Sequence, residues 1–266
     1  MLPNGNSLRL TRKIQKFFFE RLIGKIFFQR HRESLKKMNP WARLIRRTNQ
    51  FLNEKGCTPP WIYTKQECLN FWAQLDNKSS NTGNRPEKYA GKERGIIDFL
   101  HDFWRPEIRI EHRILELGCN AGGNLIWLHR LGYSHLSGIE INPHAIAEMR
   151  RAFPELVSNA EIMLGSGAAV LTKMPADSVD VIFTLGVAMH IHPSDNCIFA
   201  EMARVTRKFI CTVEPETANS NYVFARNYER IFKNLGLTQL KSCLITPNAY
   251  PHVANPGLTA RLFAKS

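Results

Sequence analysis

The sequence has no Cys-x-x-Cys pair, no zinc-ligand spacing, no internal repeat and no low-complexity tract, so no metal ion is expected. Its six cysteines, Cys57, Cys68, Cys119, Cys197, Cys211 and Cys243, are expected as reduced core thiols rather than a disulfide framework. No stretch reaches the ~20 apolar residues of a membrane span. The most apolar N-terminal piece, "IQKFFFERLIGKIFFQR", is interrupted by charges every few residues, unlike the unbroken apolar core of a signal peptide. A cytoplasmic protein is expected. Acidic residues are scarce where basic ones crowd: residues 1 to 50 hold thirteen Lys or Arg against Glu20 and Glu33, so +11 of the formal net charge of +13 sits there. A globally basic nucleic-acid-binding surface is thereby disfavoured, and a local contact with phosphate, lipid headgroups or an acidic partner is favoured.

What is present suffices for a substantial core: 266 residues, 44% of them hydrophobic. Residues 8 to about 50 read as a basic helix, with Ile14, Phe18, Leu22 and Ile26 aligned at i+4 and Lys13, Lys16 and Glu20 opposite. Three uses are open to such a helix: packing on the domain body, peripheral contact with an anionic membrane, or a nucleic-acid arm. "TPPW", residues 58–61, breaks the pattern, and a short helix is predicted through "KQECLNFWAQL". The turn formers of "DNKSSNTGNRP", residues 76–86, mark a boundary. It separates a basic helical N-terminal extension, residues 1–80, from an α/β domain, residues 87–266.

In that second part apolar strands alternate with helical patterns. "RILELGC", "HLSGIEI", "AEIMLG", "VDVIFTLG" and "KFICTVEP" read as buried strands, while "LTQLKSCLI" and "LTARLFAKS" read as a pair closing one edge. The expectation is a Rossmann-like doubly wound sheet of seven strands, mostly parallel with an antiparallel C-terminal strand. Ligands of such sheets sit outside the carboxyl ends of the strands, where the strand order reverses.

"ELGCNAGGN" lies at the end of the first of these strands, and its glycines let the backbone turn sharply and approach a ligand. A dinucleotide fingerprint G-x-G-x-x-G beginning at Gly118 fails at Asn120. Glu116-x-Gly118-x-Asn120-x-Gly122 instead resembles motif I of the class I S-adenosylmethionine-dependent methyltransferases, [DE]-x-G-x-G-x-G. Asn120 is a mild departure, since Asn accepts left-handed backbone geometry more readily than other non-glycine residues. "GIEIN" strengthens the resemblance, which implies that Glu140 accepts both ribose hydroxyls and Ile141 borders the adenine. The plainer reading of Glu140 is a cap for the next helix. Where the family has an Asp or Asn for the adenine amino group, this chain has Gly165-Ser166-Gly167-Ala168, leaving Ser166 or the backbone for that bond. The implied cofactor is S-adenosyl-L-methionine, held by Glu116, Gly118, Cys119, Asn120, Gly122, Asn124, Glu140, Ile141, Ser166, Gly167 and Leu185.

"VDVIFTLGVAMHIHP" resembles the family's motif IV region, which faces the acceptor. It contains neither the [DN]-P-P-[FYW] of enzymes acting on base nitrogens nor the Pro-Cys of cytosine-C5 enzymes, and nucleic acid is disfavoured as substrate. His190 and His192 stand where a proton acceptor is needed, or simply pack in the loop. Glu214 stands where an acceptor polar group would be held, or is a solvated strand-end acid. The expected activity is methyl transfer to oxygen or nitrogen of a small-molecule acceptor, such as a sugar, glycolipid or membrane-delivered metabolite. "FWAQ", "GCNAGGNL" and "FARNYERIFKNLG" further resemble bacterial methylases linked to pseudaminic-acid and surface-sugar biosynthesis. A non-catalytic scaffold retaining the fold is the alternative, and a nicotinamide oxidoreductase is weakened by the missing fingerprint.

Overall fold

In a computed structural model, which describes residues 40–57, 62–75, 85–90, 95–218, 220–246 and 257–265, the run "ILEL" forms strand β1 (Ile114–Leu117), buried along its whole length. Among the described residues four helices precede it: α1 (Pro40–Glu54), α2 (Lys65–Ala73), α3 (Pro86–Ala90) and α4 (Gly95–Trp104). After it come α5 (Gly123–Arg130), β2 (Leu136–Glu140), α6 (Pro143–Ala152), α7 (Pro154–Asn159), β3 (Glu161–Leu164), α8 (Gly167–Leu171) and β4 (Val179–Leu185). The chain continues with α9 (Cys197–Val205), β5 (Thr206–Glu214), α10 (Tyr228–Asn234), β6 (Leu237–Leu244) and β7 (Thr259–Lys265).

The seven strands make one sheet in the order β3-β2-β1-β4-β5-β7-β6. Strands β1 to β5 pair in parallel, and β7 runs antiparallel to both β5 and β6. This is the Rossmann-like sheet expected from the alternation. Helices cover both faces. Trp104 of α4 and Leu125 of α5 pack with Val181 and Phe183 on one face, whereas Phe199 and Met202 of α9 and Phe232 of α10 pack with Ile182 on the other. Successive strand residues point to opposite faces, so a strand covered on both sides is apolar at most positions, with Glu116 in β1 and Asp180 and Thr184 in β4 as buried polar exceptions.

Helices α7 and α8 and the 3₁₀ turns Ala188–His190 and Pro193–Asp195 were not legible as elements. Each is too short to show a period of 3.6 residues. The thiols need a correction: Cys68, Cys119 and Cys211 are buried, but Cys57 and Cys197 are exposed, where one follows the last turn of α1 and the other opens α9.

Of the basic helix read over residues 8 to 50, residues 8–39 lie outside the described residues, as do "TPPW" and residues 76–84 of the turn-rich stretch. Helix α2 forms as predicted, started by a capping box in which Thr64 and Glu67 satisfy each other's backbone N–H groups. The ends of α1 and α2 are tied to the α/β body. Asn53 Nδ2 donates to the Ala225 carbonyl at 2.9 Å, Lys65 Nζ to Asp195 at 2.6 Å, and Asn142 Nδ2 to the Leu75 carbonyl at 2.7 Å. No helix among the described residues is long and apolar enough to cross a membrane.

Candidate active site

The strand order reverses at β1, whose neighbours are β2 on one side and β4 on the other, and a cavity opens there at the strands' carboxyl ends. Its floor is the turn from β1 into α5. Gly118, Asn120 and Gly122 have φ of 77°, 49° and 75°, so every second residue is left-handed, and Asn120 takes the geometry that motif I ordinarily gives to glycine. The turn is stitched to β2: the N–H groups of Gly118 and Cys119 both donate to the Ile139 carbonyl, at 2.8 and 3.1 Å. Gly118 is also needed for space, because a Cβ there would lie 2.6 Å from the methyl carbons of Val187.

Glu140 ends β2 beside this turn. Its Oε2 accepts the Asn120 N–H at 2.7 Å and its Oε1 accepts the Asn142 N–H at 2.8 Å. Burial pushes its carboxyl above the ordinary value, and these backbone donors oppose that shift. Each carboxylate oxygen keeps further acceptor capacity, and the residue lines the cavity together with Ile141. The cap of α6 is Asn142, whose side chain accepts the His144 N–H at 2.9 Å.

Cys119, Asn120, Asn124, Ser166, Gly167 and Leu185 also line the cavity. Ser166 Oγ accepts the Ala169 N–H at 3.3 Å as the N-cap of α8. Glu116 and Gly122 do not line it. Glu116 lies beneath the turn and accepts a hydrogen bond from Asn124 Nδ2. That bond orients the Asn124 amide, and its Oδ1 is left buried with no partner among the described residues.

The loop after β4 carries the second half of the site. Glu214 was expected either to hold an acceptor polar group or to be a solvated strand-end acid. Its side chain is fully buried and absent from the cavity wall, where its carboxylate accepts the N–H groups of Val187, Ala188 and Met189 at 3.0, 2.9 and 3.2 Å. Arg226, also fully buried, donates to the carbonyls of Ala188 at 3.1 Å and Ile191 at 2.6 Å. The loop is thus gripped by an anion at its donors and a cation at its acceptors.

That grip presents His190 to the cavity. His190 Nδ1 lies 3.0 Å from the Tyr222 carbonyl, which only accepts, so Nδ1 carries the proton and Nε2 keeps its lone pair. Burial pushes the imidazole down to about 4, and the ring is neutral at physiological pH. His192 also lines the cavity but differs in tautomer. Its Nδ1 accepts the Ser194 N–H at 3.2 Å as the cap of the following turn, which leaves the proton on Nε2. Of the two histidines, only His190 offers a lone pair that is free among the described residues.

Several wall residues were not singled out as site residues in the sequence, although Trp72 lies within "FWAQ". Trp72, Cys68 and Leu69 reach the cavity from α2, and Lys65 reaches it paired with Asp195. Arg226 stood in a quoted stretch, but nothing in its spacing marked a buried guanidinium. No cluster of three metal-ligating side chains occurs among the described residues.

Residues 114–208 match a family described as a methyltransferase domain. No curated protein matches the chain. Among solved structures, it is similar to magnesium protoporphyrin IX methyltransferase from Synechocystis PCC 6803, solved with bound SAH, at 10% identity and a TM-score of 0.57, over 76% of this chain and 100% of that one. It is also similar to geranyl diphosphate C-methyltransferase from Streptomyces coelicolor A3(2), at 12% identity and a TM-score of 0.55, over 75% and 96% of the two chains. A SAM-dependent methyltransferase from Archaeoglobus fulgidus has 13% identity and a TM-score of 0.51, over 67% and 97%. At these identities the likeness is one of fold.

Proposed function

We propose that the protein methylates an oxygen or nitrogen of a small-molecule acceptor, with S-adenosyl-L-methionine as donor; the match of residues 114–208 to a methyltransferase domain supports this reading. The observation that carries this reading is the carboxylate of Glu140 joined to the Asn120 N–H at the rim of the cavity beside Gly118. The polar groups there fit the donor. Glu140 accepts the ribose hydroxyls, Asn124 Oδ1 accepts from the donor's ammonium group, and Ile141 and the Ser166–Gly167 backbone border the adenine.

When bound, the sulfonium supplies an already activated methyl group. The protein's task is to align the acceptor with it, exclude water and take up a proton. His190 is the base, because its tautomer leaves Nε2 free to receive that proton. Glu214 and Arg226 are positioning residues that hold its loop, and His192 is another. Sugars and glycolipids are among the acceptors this reading admits.

Calorimetry with S-adenosylhomocysteine and with NAD tests the donor assignment. The homocysteine compound is expected to bind and NAD to give no heat; the reverse result would replace this reading with an oxidoreductase. The basic N-terminal part is proposed to touch anionic membrane. Support comes from α1, which exposes Leu44 and Phe51 beside Arg47. Co-sedimentation with phosphatidylserine vesicles should be strong at low salt and lost at high salt, and its absence at low salt would leave simple packing.

A further inference from the structure

Two ring nitrogens on the acceptor side of the cavity are sealed from solvent without a partner among the described residues: Nε1 of Trp72 and Nε2 of His190. Both rings line the cavity, and they touch, with centroids 4.3 Å apart and planes tilted by 51°. Their polarities are opposite. An indole N–H only donates, whereas His190 Nε2 only accepts once Nδ1–H is given to the Tyr222 carbonyl. A buried donor and a buried acceptor left unmade are each costly, and in rings that touch, one group that both accepts and donates satisfies the two together.

The wall around them narrows the choice. Cys68, Leu69, Val187 and Ile191 make it apolar. Its charged groups on this side, Lys65 and Asp195, are paired at 2.6 Å. Glu140 belongs to the donor end, and among the described residues no other Lys, Arg, Asp or Glu lines the cavity.

We propose that the acceptor is an uncharged alcohol or phenol on an apolar body, and that Trp72 selects its hydroxyl by donating the indole N–H to it. This rests on the methyl-transfer reading above. A hydroxyl oxygen has one proton and two lone pairs. The proton faces His190 Nε2, one lone pair accepts from Trp72, and the other attacks the methyl carbon. The O–C bond forms as the C–S bond breaks, its electrons stay on sulfur as a neutral thioether, and the hydroxyl proton passes to Nε2. A neutral amine has a single lone pair and cannot both accept from Trp72 and attack. A carboxylate brings no proton for His190 and would enter an apolar wall that has no free cation among the described residues.

The test uses the full chain saturated with S-adenosylhomocysteine at pH 7, titrated with 2-naphthol, 2-naphthylamine and 2-naphthoate, which share one ring frame. 2-Naphthol is expected to bind tightest, by about tenfold over either analogue. In Trp72→Phe its advantage over the amine should shrink by about threefold to tenfold, with affinity for the homocysteine compound unchanged. The amine or the carboxylate binding tightest, none of the three binding, or an undiminished advantage in Trp72→Phe overturns the inference. If Trp72→Phe fails to hold the homocysteine compound, the wild-type ranking decides. Failure of the wild type to bind that compound removes the methyl-transfer reading itself.

Discussion

The carboxylate of Glu140 reaches from the end of β2 to accept the backbone N–H of Asn120 at 2.7 Å, so the acid proposed to hold the ribose also pins the left-handed turn beside it. Glu140→Ala therefore removes two functions at once. Affinity for S-adenosylhomocysteine should fall by about 1.5–3 kcal/mol, read by calorimetry. Glu140→Gln should fall less, since its amide oxygen still accepts one N–H. Equal affinities for all three proteins would mean that the residue only braces the turn.

Replacing His190 separates chemistry from donor binding. His190→Ala should slow methyl transfer by roughly 10²- to 10⁴-fold while affinity for the homocysteine compound stays within about twofold. His192→Ala should cost far less activity, because its Nδ1 is engaged by Ser194. A larger loss at His192 than at His190, measured with labelled S-adenosylmethionine, would reverse the assignment of the base.

The same residue sets a pH dependence of stability. Folding lowers the His190 pKa from an ordinary 6.5 to about 4, so the folded state binds fewer protons than the unfolded state between those values. The contribution is fully present above pH 6.5 and is lost as pH falls toward 4, by roughly 3 kcal/mol. Urea unfolding of wild type and His190→Asn at pH 7 and pH 4.5 should show a smaller acid loss in the variant. Identical losses would place the acid sensitivity elsewhere.

Glu214 provides a sharper contrast between holding a loop and touching a substrate. Glu214→Ala strips the acceptor from three N–H groups and leaves the Arg226 guanidinium without its nearby carboxylate. Stability should drop by about 3–5 kcal/mol in denaturant unfolding. A variant of wild-type stability with a raised KM for acceptor would show that Glu214 meets the substrate directly.

At Gly118 two constraints coincide, a left-handed φ and a Cβ position 2.6 Å from Val187. Gly118→Ala should weaken donor binding by at least about tenfold. The double variant with Val187→Ala should recover only the steric part, leaving the backbone strain. Full recovery would mean that the left-handed conformation is not required.

That the glycine turn and Glu140 share one end of the cavity was legible because the arrangement is local. Gly118, Asn120 and Gly122 sit within one turn, and Glu140 lies at the register-matched end of the adjacent strand, so chain order almost dictates their proximity. The acceptor half was legible only as residue types near a strand end. Glu214 looked like a substrate contact because an acid at a strand's carboxyl end faces the cleft by default. Only the fold of the loop over it shows three backbone donors closing on its carboxylate.

By itself the sequence determined the sheet, its order of alternation and the glycine-and-carboxylate frame, since apolar periodicity and left-handed turns are encoded within a few residues of one another. Tertiary structure decided the rest: which histidine keeps a lone pair, what Glu214 and Arg226 grip, and that Trp72 meets His190 across a separation of more than one hundred residues. Hydrogen-bond partners assign proton positions and burial assigns charge, and both depend on segments that only packing brings together.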